Sequence, residues 1–245
     1  MQNVKMTLEY DGSNYSGWQI QKNTSMTIQQ KLQNALKKIN KKEIKVIGAS
    51  RTDAGVHAKG QVANTTITVA IPVQRVPAAV NRFLPPDIVC KKAEKVSLDF
   101  HARYDSIGKK YRYRVYNNRI PSVFIRNYSY HYIHDLNIPL MRKASKNFLG
   151  QHDFSSFQSA GCGAKNTIKT IEEFEIYKSG EEIYFEIKGS GFLYNMIRIM
   201  VGTLIQVSEG KIRLEDINEI IKAKDRNLAG FTAPAKGLTL LEVYY

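Results

Sequence analysis

The feature that most constrains this chain is a run of segments whose apolar period switches between two and about 3.6 in the order β-α-β-β-α-β, and which then loosely repeats. Val4, Met6, Leu8 and Tyr10 alternate as a strand that ends at Asp11-Gly12-Ser13-Asn14. Ile28, Leu32, Ala35, Leu36 and Ile39 recur at helical spacing with lysines between them, and Thr27 precedes them as a cap. Strands follow around Ile44 to Gly48 and Gln61 to Val69, then a helix from about Pro72 to Phe83 and a strand from Asp87 to Val96. After the link Phe100 to Asp105 come a strand over Lys109 to Tyr116 and a helix around Leu140 to Leu149. Strands over Ile168 to Tyr177 and Ile183 to Lys188 lead to a helix from Phe192 to Ile205. An added helix near Leu214 to Lys222 and a strand from Leu238 to Tyr244 complete the pattern.

Two split β-α-β, ferredoxin-like units in one chain predict an α+β protein with mainly antiparallel sheets that could join edge to edge around a central cleft. The expected halves are 1–105 and 106–245. With 43% apolar residues, 245 residues suffice for a core without metals or disulfides. Cys90 and Cys162 form no CxxC pair and no zinc spacing, so both read as reduced thiols of a cytoplasmic protein. The N-terminus lacks the apolar stretch of a secretory signal. The most apolar run, Phe192 to Ile205, is interrupted by Asn195 and Arg198 and is shorter than the ~20 residues of a membrane span.

A formal charge of +14 favours a polyanionic partner. The excess is spread over the chain, with 16 basic against 8 acidic residues up to Asp105 and 20 against 14 after it. A lysine-rich proteome would give the same number, so the charge alone does not identify a nucleic acid.

Three segments add chemistry. Gly48-Ala49-Ser50-Arg51-Thr52-Asp53-Ala54-Gly55-Val56-His57-Ala58 lies between two strand patterns and surrounds one carboxylate with small residues. Arg51 suits a phosphate, while Asp53 and His57 are candidate proton carriers, although an Asp-Ala-Gly is also a plain turn. In Lys109 to Tyr116, Tyr111, Tyr113 and Val115 share one face of a strand, and Lys110, Arg112, Arg114 and Tyr116 share the other. Rings for an unstacked base beside cations for a backbone suit RNA; core tyrosines under a solvated basic face read equally well. Arg198 is the only charge in its apolar run and needs a partner. Asp53, which a neighbouring guanidinium would keep ionised, and Glu186 both qualify.

Arg51-Thr52-Asp53-Ala54-Gly55-Val56-His57-Ala58 resembles the signature of the TruA family of tRNA pseudouridine synthases. Asp11 to Gln19, Phe100 to Arg103, Lys110 to Tyr113, Gly191 to Arg198 and Ala233 to Leu238 resemble further family segments in the same order over almost the whole chain. Lys169 departs from an expected arginine and puts a peripheral contact in doubt. The resemblance implies the pseudouridine synthase fold and conversion of uridine to pseudouridine at positions 38, 39 and 40 of the tRNA anticodon stem-loop, by a cofactor-free, metal-free homodimer. It implies catalytic roles for Asp53 as nucleophile or base, for Tyr111 in stacking on the base and assisting proton removal, and for Arg198 as the ion-pair partner of Asp53. Arg51 is expected to help extrude the uridine, with His57, Lys110 and Arg112 also at the substrate.

A non-catalytic RNA-binding protein of RRM-like topology is the rival, because the order β-α-β-β-α-β is shared. It predicts an aromatic RNP string that the sequence lacks. An RNA nuclease would need a carboxylate cluster or a histidine pair, and the five histidines are scattered.

Overall fold

The computed structural model describes residues 1–161 and 166–245, so Cys162 lies outside the described residues. Two compact units emerge, Met1–Ile107 with Thr239–Tyr245, and Gly108–Leu238. The division at Asp105 left the last strand in the second half; in the structure that strand, from Thr239 on, belongs to the first unit.

The first unit starts with β1 (Gln2–Tyr10), where Val4, Met6, Leu8 and Tyr10 are buried as their alternation requires. Thr27 Oγ1 accepts from the Gln30 N–H at 3.3 Å and opens α1 (Ile28–Asn40), which buries Ile28, Leu32, Ala35 and Leu36. Strand β2 is only Ile47–Gly48, shorter than the expected Ile44 to Gly48. Side chains take the backbone groups that a longer ladder needs: Gln33 Oε1 accepts from Val46 N, Gln29 Nε2 donates to Val46 O, and Thr65 Oγ1 donates to Lys45 O.

Strand β3 (His57–Ile67) starts four residues earlier than Gln61, which moves His57 and Ala58 out of the loop. The helix expected over Pro72 to Phe83 is a 3₁₀ turn at Val73–Arg75 followed by α2 (Val76–Asn81). Pro77 fits its first turn, and Pro85-Pro86 prevents continuation. With β4 (Ile88–Val96), the antiparallel order is β4-β1-β3-β2.

The second unit contains β5 (Gly108–Asn117), β6 (Tyr130–Tyr132), α3 (Ile138–Ser145), β7 (Gly150–Asp153), β8 (Ile168–Ser179), β9 (Glu182–Gly189), α4 (Met196–Ser208) and α5 (Asp216–Ala223). Its antiparallel order β5-β9-β8 repeats the β1-β3-β2 order of the first unit, with β7 added on β8 and β6 parallel to β5. Strands β6 and β7, three and four residues long, are too short for their period to show. Helix α4 begins at Met196 rather than Phe192, because Asn195 takes φ 62° just before it. The chain closes with β10 (Leu238–Tyr244), whose Thr239 and Leu240 pair in parallel with His57 and Ala58 of β3. Both units are therefore α+β with mainly antiparallel sheets. Among the described residues, no helix is long and apolar enough to cross a membrane.

Candidate active site

The Asp53 loop, residues 49–56, joins β2 to β3, and neighbouring backbone holds it from several directions. Gln61 of β3 is fully buried; its Nε2 donates to Ser50 O at 2.9 Å and its Oε1 accepts from Ser50 N at 3.2 Å. The Tyr10 and Thr52 hydroxyls meet at 2.7 Å, and Gln61 Nε2 donates to Tyr10 Oη at 3.3 Å. Burial pushes the Tyr10 phenol well up, so this group stays protonated. On the other side Trp18 N donates to Thr52 O at 3.0 Å, and Gly55 N donates to Tyr15 O at 3.3 Å. The loop thus lies against residues 12–18, the segment that follows β1.

This closeness requires glycine at two places. A Cβ on Gly12 would lie 2.0 Å from the Val56 carbonyl oxygen, and one on Gly48 2.3 Å from the Trp18 ring. Within this frame Arg51 and Ala54 are exposed and Asp53 is half-buried. Thr52, between Arg51 and Asp53, is buried and fixes the direction of the turn.

His57, expected at the substrate, stands at the end of the Asp53 loop. It is the first residue of β3, only 4% exposed, and its Nδ1 lies 3.1 Å from both the Gly12 N–H and the Asp11 carboxylate. This arrangement ties the end of the Asp53 loop to the turn after β1.

In the second unit β5 keeps the expected alternation, with Tyr111, Tyr113 and Val115 buried. Tyr111, 6% exposed, meets the Phe192 ring edge to face with centroids 5.3 Å apart. Tyr113 donates its hydroxyl to the Pro234 carbonyl at 2.7 Å, and a Cβ on Gly237 would come within 2.6 Å of its ring. The Ala233 to Gly237 segment is thereby fixed against β5.

The basic face of β5 is not a bare cationic stripe. Glu186 of β9 receives Lys110 at 2.9 Å, Arg112 at 2.6 Å and the Tyr177 hydroxyl at 2.8 Å, while Arg114 pairs with Glu182. Burial raises the Glu186 carboxyl, but these three donors outweigh it and hold it at about 2. Lys110 and Arg112 are consequently fixed in position on β5, and Glu186 is occupied by them rather than by Arg198.

Arg198 sits in the first turn of α4, half-buried. Its Nε donates to Ala233 O at 2.7 Å and its Nη1 to Asn195 Oδ1 at 2.6 Å; Asn195 Nδ2 in turn donates to Ser159 Oγ at 2.8 Å. The left-handed backbone of Asn195 lets its side chain point back onto the helix it precedes. Ala233 and Pro234 therefore orient Arg198 and Tyr113 from adjacent carbonyls.

Sequence reasoning overlooked Tyr10, Gln61, Asn195 and Tyr113 as orienting residues. Among the described residues no group of three His, Cys, Asp or Glu side chains is arranged to hold a metal ion.

A model of the tRNA pseudouridine synthase family matches residues 6–105 and 144–245. The tRNA pseudouridine synthase A of Acetivibrio thermocellus is 50% identical over 245 residues, covering 100% of each chain. The proteins of that name from Clostridium acetobutylicum and Thermoanaerobacter sp. are 47% and 46% identical over 245 residues, again covering 100% of both chains. With its Arg51 to Ala58 loop intact and its similarity running from end to end, this chain belongs to the TruA family of tRNA pseudouridine synthases.

Proposed function

We propose that the chain isomerises uridine at positions 38, 39 and 40 of the tRNA anticodon stem-loop, with Asp53 as the group that makes the glycosidic bond labile. The membership itself makes it an isomerase that converts uridine to pseudouridine in tRNA. The reaction breaks the bond from ribose C1′ to N1, turns the uracil, and forms the bond from C1′ to C5. The C5 proton leaves and N1 is reprotonated. No electrons pass to a second substrate, so the task for the protein is positioning, proton transfer and stabilisation of charge.

The observation that carries this reading is the half-buried Asp53 on a loop fixed by Tyr10, Gln61 and Trp18 beside the exposed Arg51. A carboxylate so fixed can attack the sugar or the base, or remove a ribose proton. Arg198 is its ion-pair partner in this reading, Tyr111 stacks on the base and assists loss of the C5 proton, and Arg51 fills the space that the extruded uridine leaves. Lys110 and Arg112 present cations to the RNA backbone, and His57 acts through the loop it ties down. The working form is a cytoplasmic homodimer.

The test is Asp53→Asn with tRNA carrying tritium at uridine C5. The side chain is nearly isosteric, so affinity for unmodified stem-loop should change by about a kcal/mol or less while tritium release is lost. Release at the wild-type rate would remove Asp53 from the mechanism.

A further inference from the structure

The second unit holds a cavity of about 580 Å³ between the end of α4 and the loop at 226–231, lined by Gln206, Ile212, Arg226, Asn227, Leu228 and Phe231 among others. It is separate in sequence from every residue assigned to the reaction above. Arg226 makes it unusual. Its Nη1 donates to Ala229 O and its Nη2 to Thr232 Oγ1, both at 3.2 Å, and it meets no carboxylate among the described residues. Four other cations in this part of the unit do meet carboxylates: Arg213 with Asp216, Lys222 with Glu219, Lys224 with Asp153, Lys211 with Glu209.

Partial burial draws the pKa of the Arg226 guanidinium down. Two of its five donors are used, which leaves room for a bidentate acceptor. The side-chain amides of Gln206 and Asn227 have no hydrogen-bond partner among the described residues, and Leu228 is 51% exposed at the mouth. The half-buried ring of Phe231 supplies an apolar wall.

We propose that this cavity is an accessory RNA subsite, in which Arg226 takes a backbone phosphate of the tRNA and the attached nucleotide lies against Leu228 and Phe231. The inference rests on the tRNA substrate assigned above. A nucleotide fits the volume, a fork of N–H donors fits a phosphate, and two free amides fit the polar edge of a base. The position also links the subsite to the reaction. The loop that carries Arg226 runs directly into Ala233 and Pro234, whose carbonyls hold Arg198 and Tyr113. RNA seated here would therefore be registered against the segment that orients Arg198.

The experiment measures tRNA affinity by anisotropy over a range of salt, together with tritium release under kcat and KM conditions, using the full chain. Arg226→Ala should weaken tRNA binding roughly tenfold at low salt and reduce the slope of log affinity against log salt by about one, with KM rising and kcat largely kept. Arg226→Lys should restore the slope but not the full affinity. Leu228→Glu, at an exposed position, places a carboxylate at the mouth without disturbing the core and should weaken binding in the same sense, which keeps the test open if Arg226→Ala is poorly folded. An unchanged salt slope in folded Arg226→Ala together with unchanged affinity in Leu228→Glu would overturn the subsite while leaving the activity assignment intact. Wild-type protein that neither binds tRNA nor releases tritium would instead overturn the assigned function.

Discussion

The hydroxyls of Tyr10 and Thr52 lie 2.7 Å apart and connect the end of the first strand to the residue before Asp53. Both are buried, and Gln61 Nε2 adds a third member at 3.3 Å. Tyr10→Phe keeps the ring but leaves the Thr52 hydroxyl and the Gln61 amide with one partner fewer in a dry site. It should cost about 1–3 kcal/mol of stability in urea unfolding. Because the lost bond orients the Asp53 loop rather than RNA, kcat in tritium release should fall while tRNA affinity persists. A variant with wild-type kcat and lowered stability would show that the bond holds the fold but does not position Asp53.

Gly12 offers a steric test of the same loop. An added methyl would meet the Val56 carbonyl oxygen at 2.0 Å, and backbone cannot rotate away as a side chain does. Gly12→Ala should therefore destabilise by roughly 1–3 kcal/mol. It should also displace the backbone between Asp53 and His57 and lower activity. Gly210→Ala is a useful comparison because an added Cβ there would meet no non-neighbouring atom of the described residues within 4 Å while its φ is +73°: strain without collision should lower stability but leave activity largely unchanged.

Glu186 should make stability depend on acid pH. Its carboxyl is held at about 2, below the ordinary glutamate value of about 4.3, so the folded form binds the proton less readily than the unfolded form. The contribution is full at neutral pH, shrinks as pH falls below the ordinary value, and is gone near 2. Glu186→Gln removes the charge that Lys110 and Arg112 share. At pH 7 this should cost about 1.5–3 kcal/mol, the range for hydrogen bonds to charged groups. Urea midpoints of variant and wild type should converge as pH is lowered from 5 towards 2. A pH-independent difference would mean that Glu186 contributes through shape and not through charge.

These sites show what a linear reading reaches and where it stops. Thr27 and the buried stripe of α1 are local, so capping chemistry and a 3.6 period expose them. The Arg51 to Ala58 string is contiguous and recognisable for the same reason. Strand β2 is different, since Gln29 and Gln33 of α1 bond the Val46 backbone 17 and 13 residues away and no period records that. His57 looked like a loop residue, but its pairing with Thr239 of β10 makes it the start of a strand. Asn195 shows no pattern at all, yet its positive φ makes the expected helix begin at Met196 instead of Phe192. The bond from Tyr113 to Pro234 spans 121 residues, beyond anything alternation within β5 could indicate.

Tyr111 separates ring from hydroxyl in the proposed chemistry. Its ring is buried, 6% exposed, and packs edge to face on Phe192 at 5.3 Å, so Tyr111→Phe retains the volume and the aromatic contact. Fold and tRNA affinity should remain near wild type. If the hydroxyl assists departure of the C5 proton, the Phe variant should still break the glycosidic bond but complete the reaction slowly, and tritium release should drop by about 10²–10⁴, the range for general acid–base assistance. Tyr111→Ala is a harsher change. It opens a cavity beside Phe192 and should cost about 3–5 kcal/mol of stability, so binding and turnover fall together and the role of the hydroxyl is masked. The Phe variant is therefore the informative one. Full tritium release from Tyr111→Phe at unchanged tRNA affinity would leave Tyr111 as a stacking surface alone and assign proton removal to another group.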